Sequence, residues 1–379
     1  MSAGFLKVLN ISLTAGWLVL AVVLLRFALK KAPKWTRCFL WGIVGLRLML
    51  PFTIESRLSL LPSAEPVRTE AVVAVASPDD DFSIGVSERV VVSSGFTAID
   101  NALNPVLTRT SESYSSAEID PVSAAKKAAG WIWAAGACAM LMYSAASYIH
   151  MVRKVRASIE TEPGVYVCDE VKSPFILGVI RPKIYLPSGL DERSRRNVLA
   201  HERAHIERLD HIWKPLGFVL LSVHWFNPLV WLAFVLFSRD IEFACDEKVI
   251  SQLDAEGKAE YSLTLLAFSR PQRAIAACPV AFGEVGVKER VRSVLHYKKS
   301  AKWIVLIALF AVAAVGVCFL TGPRPVNAAG SETSSRVLPP PDKLLSGAGS
   351  YYDPDQNIVD VPEYLYLLPN IARQPDTAE

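Results

Sequence analysis

Four apolar stretches set the pattern of this chain, at roughly residues 8–25, 38–52, 128–149 and 303–320. A helix crosses a bilayer with about 20 apolar residues, and about 17 is the lower end. The first, third and fourth stretches meet that length. The second is short and carries Arg47, near enough to the end of its segment to reach the headgroups by snorkelling. Between the third and fourth stretches the pattern changes. Residues 164–187 alternate β-rich runs with Pro and Gly, which predicts two or three strands in a small sheet. From Ser188 the composition turns helical. Ser188 with Asp191 three positions on has the form of a capping box, and the helix it opens extends through Val198 to about Arg208.

Charge gives the pattern a sidedness. Only Lys7 precedes the first apolar run, whereas Arg26, Lys30, Lys31, Lys34 and Arg37 follow it, so the first stretch reads as a retained helix rather than a secretory signal. Positive loops stay in the cytoplasm, which puts the first hairpin turn inside and the N-terminus outside. Residues 62–125 hold ten acidic residues against three basic ones, and Lys288, Arg290, Arg292, Lys298, Lys299 and Lys302 crowd the inner side of the last stretch. The expectation is a multi-pass protein of the cell membrane. Its parts are a transmembrane hairpin (1–54), an extracellular loop (55–127), a third membrane helix (128–150), a cytoplasmic domain (151–302), a fourth membrane helix (303–321) and an extracellular, mostly disordered tail (322–379). Residues 72–76 and 89–92 of the loop are expected as short strands, and 361–368 as an apolar patch in the tail.

Composition agrees. Of 379 residues 51% are hydrophobic and 20% charged, and the mean hydropathy is +0.29, which excludes a mostly disordered chain. A net charge of +3 is too mild to argue for direct nucleic-acid binding. The six cysteines lie apart with no CxxC pair, against a disulfide framework or a cysteine zinc site.

The chemistry is concentrated in His201-Glu202-Arg203-Ala204-His205. Residues four apart share a helical face, so both imidazoles can address one ion at about 2.0–2.1 Å, and Glu202 can act as general base on a water there. A catalytic zinc needs a third protein ligand. His211 stands where metzincins place theirs, but Arg208 occupies the position of their glycine and no methionine follows Met151. Glu207 and Asp210 are too close in sequence and read as solvated, Asp210 with the option of supporting the site from outside the ligand shell. Glu242 is the stronger candidate. It lies in a polar run from Ser238 to Glu247 that reads as opening a second helix, with Asp246 four residues on and on the same face. That arrangement resembles gluzincins, where a glutamate binds zinc and an aspartate orients a ligand histidine. Residues 215–237 are apolar enough to cross, but Asn227-Pro228 breaks them into halves too short to span, so a membrane-associated hairpin keeps His201 and Glu242 on one side. His224 in that hairpin reads as a core histidine, and Cys245 as a buried residue rather than a ligand.

The HExxH segment, the hairpin from His224 to Trp231, the run from Arg239 to Glu247, Ser173-Pro174-Phe175, Arg181-Pro182-Lys183-Ile184 and the Val287-Lys288-Glu289-Arg290 stretch resemble, as a set, the membrane metallopeptidases of the beta-lactam sensor-transducer receptors. The resemblance covers about residues 5–321. It implies one zinc ion on His201, His205 and Glu242, Glu202 as catalytic base, and Asp246 behind the ligands. It also implies self-cleavage, or loss of a DNA-bound repressor, as the output of an outside signal. Those receptors carry a penicillin-binding domain after the last helix, whereas residues 322–379 hold no Ser-x-x-Lys motif, so acylation by a beta-lactam is not expected.

The reading is therefore a mainly α protein with a small β-sheet: four transmembrane helices plus a cytoplasmic, gluzincin-like zinc endopeptidase. It would cleave itself, with residues 270–297 as a loop-like target, or a cytoplasmic partner such as a transcriptional repressor. Homodimer formation stays open. The rival is a non-catalytic membrane scaffold that binds a cytoplasmic regulator.

Overall fold

Long apolar runs fold as helices and the punctuated segment between them as a sheet. The computed structural model describes residues 2–50, 121–268 and 286–323, with shorter pieces between residues 54 and 105 and between 350 and 360. The helices are α1 (Ser2–Ala28), α2 (Lys34–Met49), α3 (Pro121–Lys154), α4 (Glu192–Glu207), α5 (Asp210–Val223), α6 (Pro228–Ile250), α7 (Ala255–Ala267), α8 (Val287–Leu295) and α9 (Lys302–Leu320). Short strands β1 (Ile54–Ser56), β2 (Val67–Val75) and β3 (Ile84–Val92) lie between α2 and α3, with β2 paired to β3. The chain divides into two compact units, residues 1–70 with 88–323, and residues 71–87 with 324–379.

The first unit holds everything that positions the site. Its sheet has four strands, three of them within 164–187 as the pattern predicts and one just before: β4 (Ile159–Glu162), β5 (Val165–Cys168), β6 (Phe175–Leu177) and β7 (Lys183–Pro187) in the order β4-β5-β7-β6. β5 and β7 run parallel with Val165 opposite Ile184; the outer pairs are antiparallel. Val165, Ile184 and Leu186 pack against Val198 and Leu199, fixing α4 on the sheet. Burying a side chain such as Leu186 contributes about 1.5–3 kcal/mol relative to leaving it in water. A second cluster gathers apolar side chains of α1, α2, α5 and α6 with Ala308 of α9, and Ile250, Tyr261 and Val294 join α6, α7 and α8. In the second unit, β9 (Ser350–Tyr352) pairs antiparallel with β10 (Ile358–Asp360). The 361–368 patch lies outside the described residues.

Five expectations are corrected. Among the described residues three helices, not four, are long and apolar enough to cross a membrane: Gly4–Lys31, Ala124–Ala157 and Lys302–Leu320. α2 has 16 residues, about 24 Å at 1.5 Å per residue, short of a hydrocarbon core of about 30 Å. Arg47 does not snorkel; it is 2% exposed and donates to Thr14 Oγ1 at 3.0 Å, because α1 packs over that face of α2. The α4 N-cap is Asp191, which accepts from Ser194 N; Ser188 lies before it. The polar run at Ser238–Glu247 does not open a helix but lies inside α6, which starts at Pro228. Part of 270–297 is likewise the helix α8 rather than loop, while 269–285 lie outside the described residues.

Asn227-Pro228 does turn the chain. Asn227 caps α6 by accepting from Leu229 N and donates to Ser12 of α1, and proline at the first helical position needs no N–H partner. α3 crosses the hairpin at Gly136, where a Cβ would come within 2.4 Å of the Trp225 ring, so only glycine allows the contact.

Candidate metal centre

α4 carries both histidines on one face, as a spacing of four dictates. Their rings stand nearly perpendicular at 89°, and Nε2 of His201 lies 3.1 Å from Nε2 of His205. α6 brings Glu242 to them: Oε2 is 3.4 Å from His201 Nε2, and Oε1 is 3.7 Å from His205 Nε2. Four ligands around zinc at about 2.1 Å would stand about 3.4 Å apart, and the three observed separations bracket that value. Glu202, beside His201, is 9% exposed.

The far nitrogens decide what the near ones can do. His205 Nδ1 is 2.9 Å from Asp210 Oδ2, and since a carboxylate only accepts, Nδ1 carries the proton and Nε2 keeps a lone pair. His201 Nδ1 is 2.9 Å from the Tyr261 hydroxyl, which donates its own hydrogen to Asp246 Oδ1 at 2.7 Å. That chain likewise leaves Nε2 of His201 with a lone pair. Two lone pairs and a carboxylate thus converge on one point, a donor set that suits a cation. Asp246 Oδ1 lies 3.4 Å from His201 Nδ1, and Tyr261 bridges the two.

Asp210 is buried, 3% exposed, and not solvated as its position suggests. The cause is Leu209, whose φ of 60° turns the chain between α4 and α5 and aims Asp210 back at His205. Glu207 is exposed and paired with Lys248. His211 joins neither metal-capable group found among the described residues. The second of those groups is His205 with Asp210 and Cys245; the Cys245 thiol is fully buried and donates to Asp210 Oδ2 at 3.2 Å. His224 is buried at 1% exposure, as a core histidine would be.

Three residues at the centre have no counterpart in the sequence reading: Tyr261, Lys214 and Arg290 as a site residue. Lys214 Nζ donates to Glu242 Oε1 at 2.8 Å. Arg290 of α8 grips Asp246 at 2.7 and 2.8 Å and lies 3.4 Å from Glu242. Burial alone would raise the Glu242 pKa, but Lys214 and His205 outweigh it and hold the carboxyl well below its usual range. For Asp210 burial is likewise overcome, by His205 and Arg208, so it too is ionised. Burial, with Asp246 beside it, pushes the Tyr261 phenol well up, so it stays a donor; burial also raises the Cys245 thiol.

Over residues 6–294 the chain matches the family described as BlaR1 peptidase M56. It is 27% identical over 190 residues to the regulatory protein BlaR1 of Bacillus licheniformis, covering 48% of this chain and 32% of that protein. Over 140 residues it is 24% identical to the methicillin resistance mecR1 protein of Staphylococcus aureus, covering 35% of this chain and 24% of that protein. The chain thus spans a third or less of the length of the curated relatives it matches.

Proposed function

The chain belongs to the BlaR1 peptidase M56 family, and from that premise we propose that it is a membrane-bound zinc endopeptidase acting in regulatory signalling. His201, His205 and Glu242 would hold the ion and Glu202 would be the base. The observation that carries this reading is the set of donor separations, 3.1, 3.4 and 3.7 Å, formed by two acceptor nitrogens and an ionised carboxylate.

When bound, zinc supplies a Lewis acid that polarises a peptide carbonyl and makes water acidic enough to attack near neutral pH. The chain's own groups do the rest. Asp210, and Tyr261 with Asp246, keep both imidazoles in the tautomer that faces inward. Glu202 takes the proton of the attacking water and returns it to the leaving amine.

The membrane arrangement we propose is supported by charge and packing. The basic turn after α1 and the basic approach to α9 share a side, since Ser300 donates to the Lys31 carbonyl at 3.0 Å. At the other end β1, just after α2, pairs with β8 (Thr321–Pro323), just after α9. On the positive-inside rule we place the site in the cytoplasm, on the side of these basic turns. The substrate we propose is a cytoplasmic regulator or the chain itself. The name of the Bacillus licheniformis relative, a regulatory protein, points the same way.

The test is cleavage of co-expressed cytoplasmic candidates, and of the chain, by the protein in lipid nanodiscs. Glu202→Gln should retain metal and fold yet lose about two to four orders of magnitude in rate, the usual contribution of a positioned base. Equal cleavage by the variant would show that Glu202 is not the base, and no cleavage by the parent would leave a scaffold role standing.

A further inference from the structure

α6 has two acidic faces. Glu242 and Asp246 point to the metal centre, while Asp240 and Glu247 point to the hairpin of α1 and α2. The spacing requires this: positions two apart on a helix differ by about 200°, whereas seven apart nearly coincide. Asp240 is fully buried. Arg26, at the end of α1, grips it with Nε at 2.7 Å and Nη2 at 2.9 Å. The indole N–H of Trp41 in α2 donates to it at 2.9 Å, and Arg37 Nη1 lies 3.7 Å away. Two turns further along α6, Lys34 N donates to Glu247 Oε2 at 2.5 Å.

We propose that Asp240 is a positioning residue: the Arg26–Asp240–Trp41 clamp fixes the rotation of α6 about its axis and so sets Glu242 against His201 and His205, tying the metal centre to the first membrane hairpin. The inference rests on the zinc reading above. Its physical basis is that a bidentate Arg–carboxylate pair is directional and that a buried carboxylate must keep its partners, so α6 cannot rotate without leaving a charge unpaired. The Glu242 carboxylate is only two residues away on the same rigid helix. Any shift of α1 against α2 that moves Arg26 or Trp41 is passed to Glu242. The hairpin thereby becomes a route by which an event in or beyond the membrane reaches the ligand shell.

The experiment uses the full chain in detergent and Co2+ as the probe, whose visible spectrum reports the ligand set. Asp240→Asn and Arg26→Met remove the clamp from either side; Leu177→Ala, a core deletion in the sheet away from the centre, controls for general destabilisation. Both clamp variants should bind Co2+ about tenfold or more weakly, the range for lost outer partners of metal ligands, with an altered spectrum and unchanged helix content. Leu177→Ala should keep the parent spectrum and affinity. If Asp240→Asn does not fold, Arg26→Met still gives the reading. Parent-like Co2+ binding by a folded clamp variant, or an equal loss in Leu177→Ala, overturns the proposal. Failure of the parent chain itself to bind one Co2+ would instead overturn the metal reading on which it rests.

Discussion

Tyr261 and His201 meet at 2.9 Å across 60 residues of chain, the phenol oxygen against Nδ1 of the imidazole. Since Tyr261 gives its hydrogen to Asp246, the ring must donate from Nδ1, which leaves the lone pair on Nε2. Tyr261→Phe keeps the buried ring and removes only this link. Metal affinity should fall by about tenfold or more with the fold retained, as measured by competition with a chromophoric chelator. Unchanged affinity would mean that Asp246 orients His201 without help.

Glu242 holds more than a metal ligand's place, because Lys214 and Arg290 both lean on it in a buried setting. Glu242→Gln should lose the ion, and should also strand two cations. Removing one partner of a buried pair costs on the order of 3 kcal/mol, so denaturant unfolding of the chain should show a loss of that size even in excess chelator. A loss confined to metal-loaded protein would show the cations to be well solvated without Glu242.

Asp191 gives a pH signature outside the centre. The hydrogen bond from Ser194 holds its carboxyl below the usual value. A depressed pKa adds stability above the unfolded value of about 3.9, and that stability is lost as pH falls through the folded one. Asp191→Asn keeps the cap's hydrogen bond without the charge. The parent should therefore unfold at a higher temperature near neutral pH, and the gap should close below about pH 4. A gap of constant size across that range would show that the charge contributes nothing.

What the sequence discloses and what it conceals follow from distance along the chain. His201 and His205 are legible because four residues on one helix suffice to bring them together, and Glu242 because Asp246 repeats that spacing on a second helix. Asp240 sits in the same run, but its partners Arg26 and Trp41 are about 200 residues away and no periodicity links them. Tyr261, Lys214 and Arg290 reach the centre only through the packing of α7, α5 and α8 on α6. Of these, only Arg290 had a signal, as the end of the Val287–Arg290 stretch that marks the family resemblance. The fold was legible in its apolar runs, while helix limits were not. α2 is too short by itself and its burial under α1 is tertiary, so neither the crossing count nor the fate of Arg47 could be read from hydropathy.

The most direct test of the central claim is zinc K-edge absorption on the intact chain, because two rival ligand groups share His205. The account predicts one zinc per chain with only nitrogen and oxygen scatterers at about 2.0–2.2 Å, and two imidazoles in the outer-shell pattern. A sulfur scatterer at about 2.3 Å would move the ion to Cys245 and Asp210, and would contradict it.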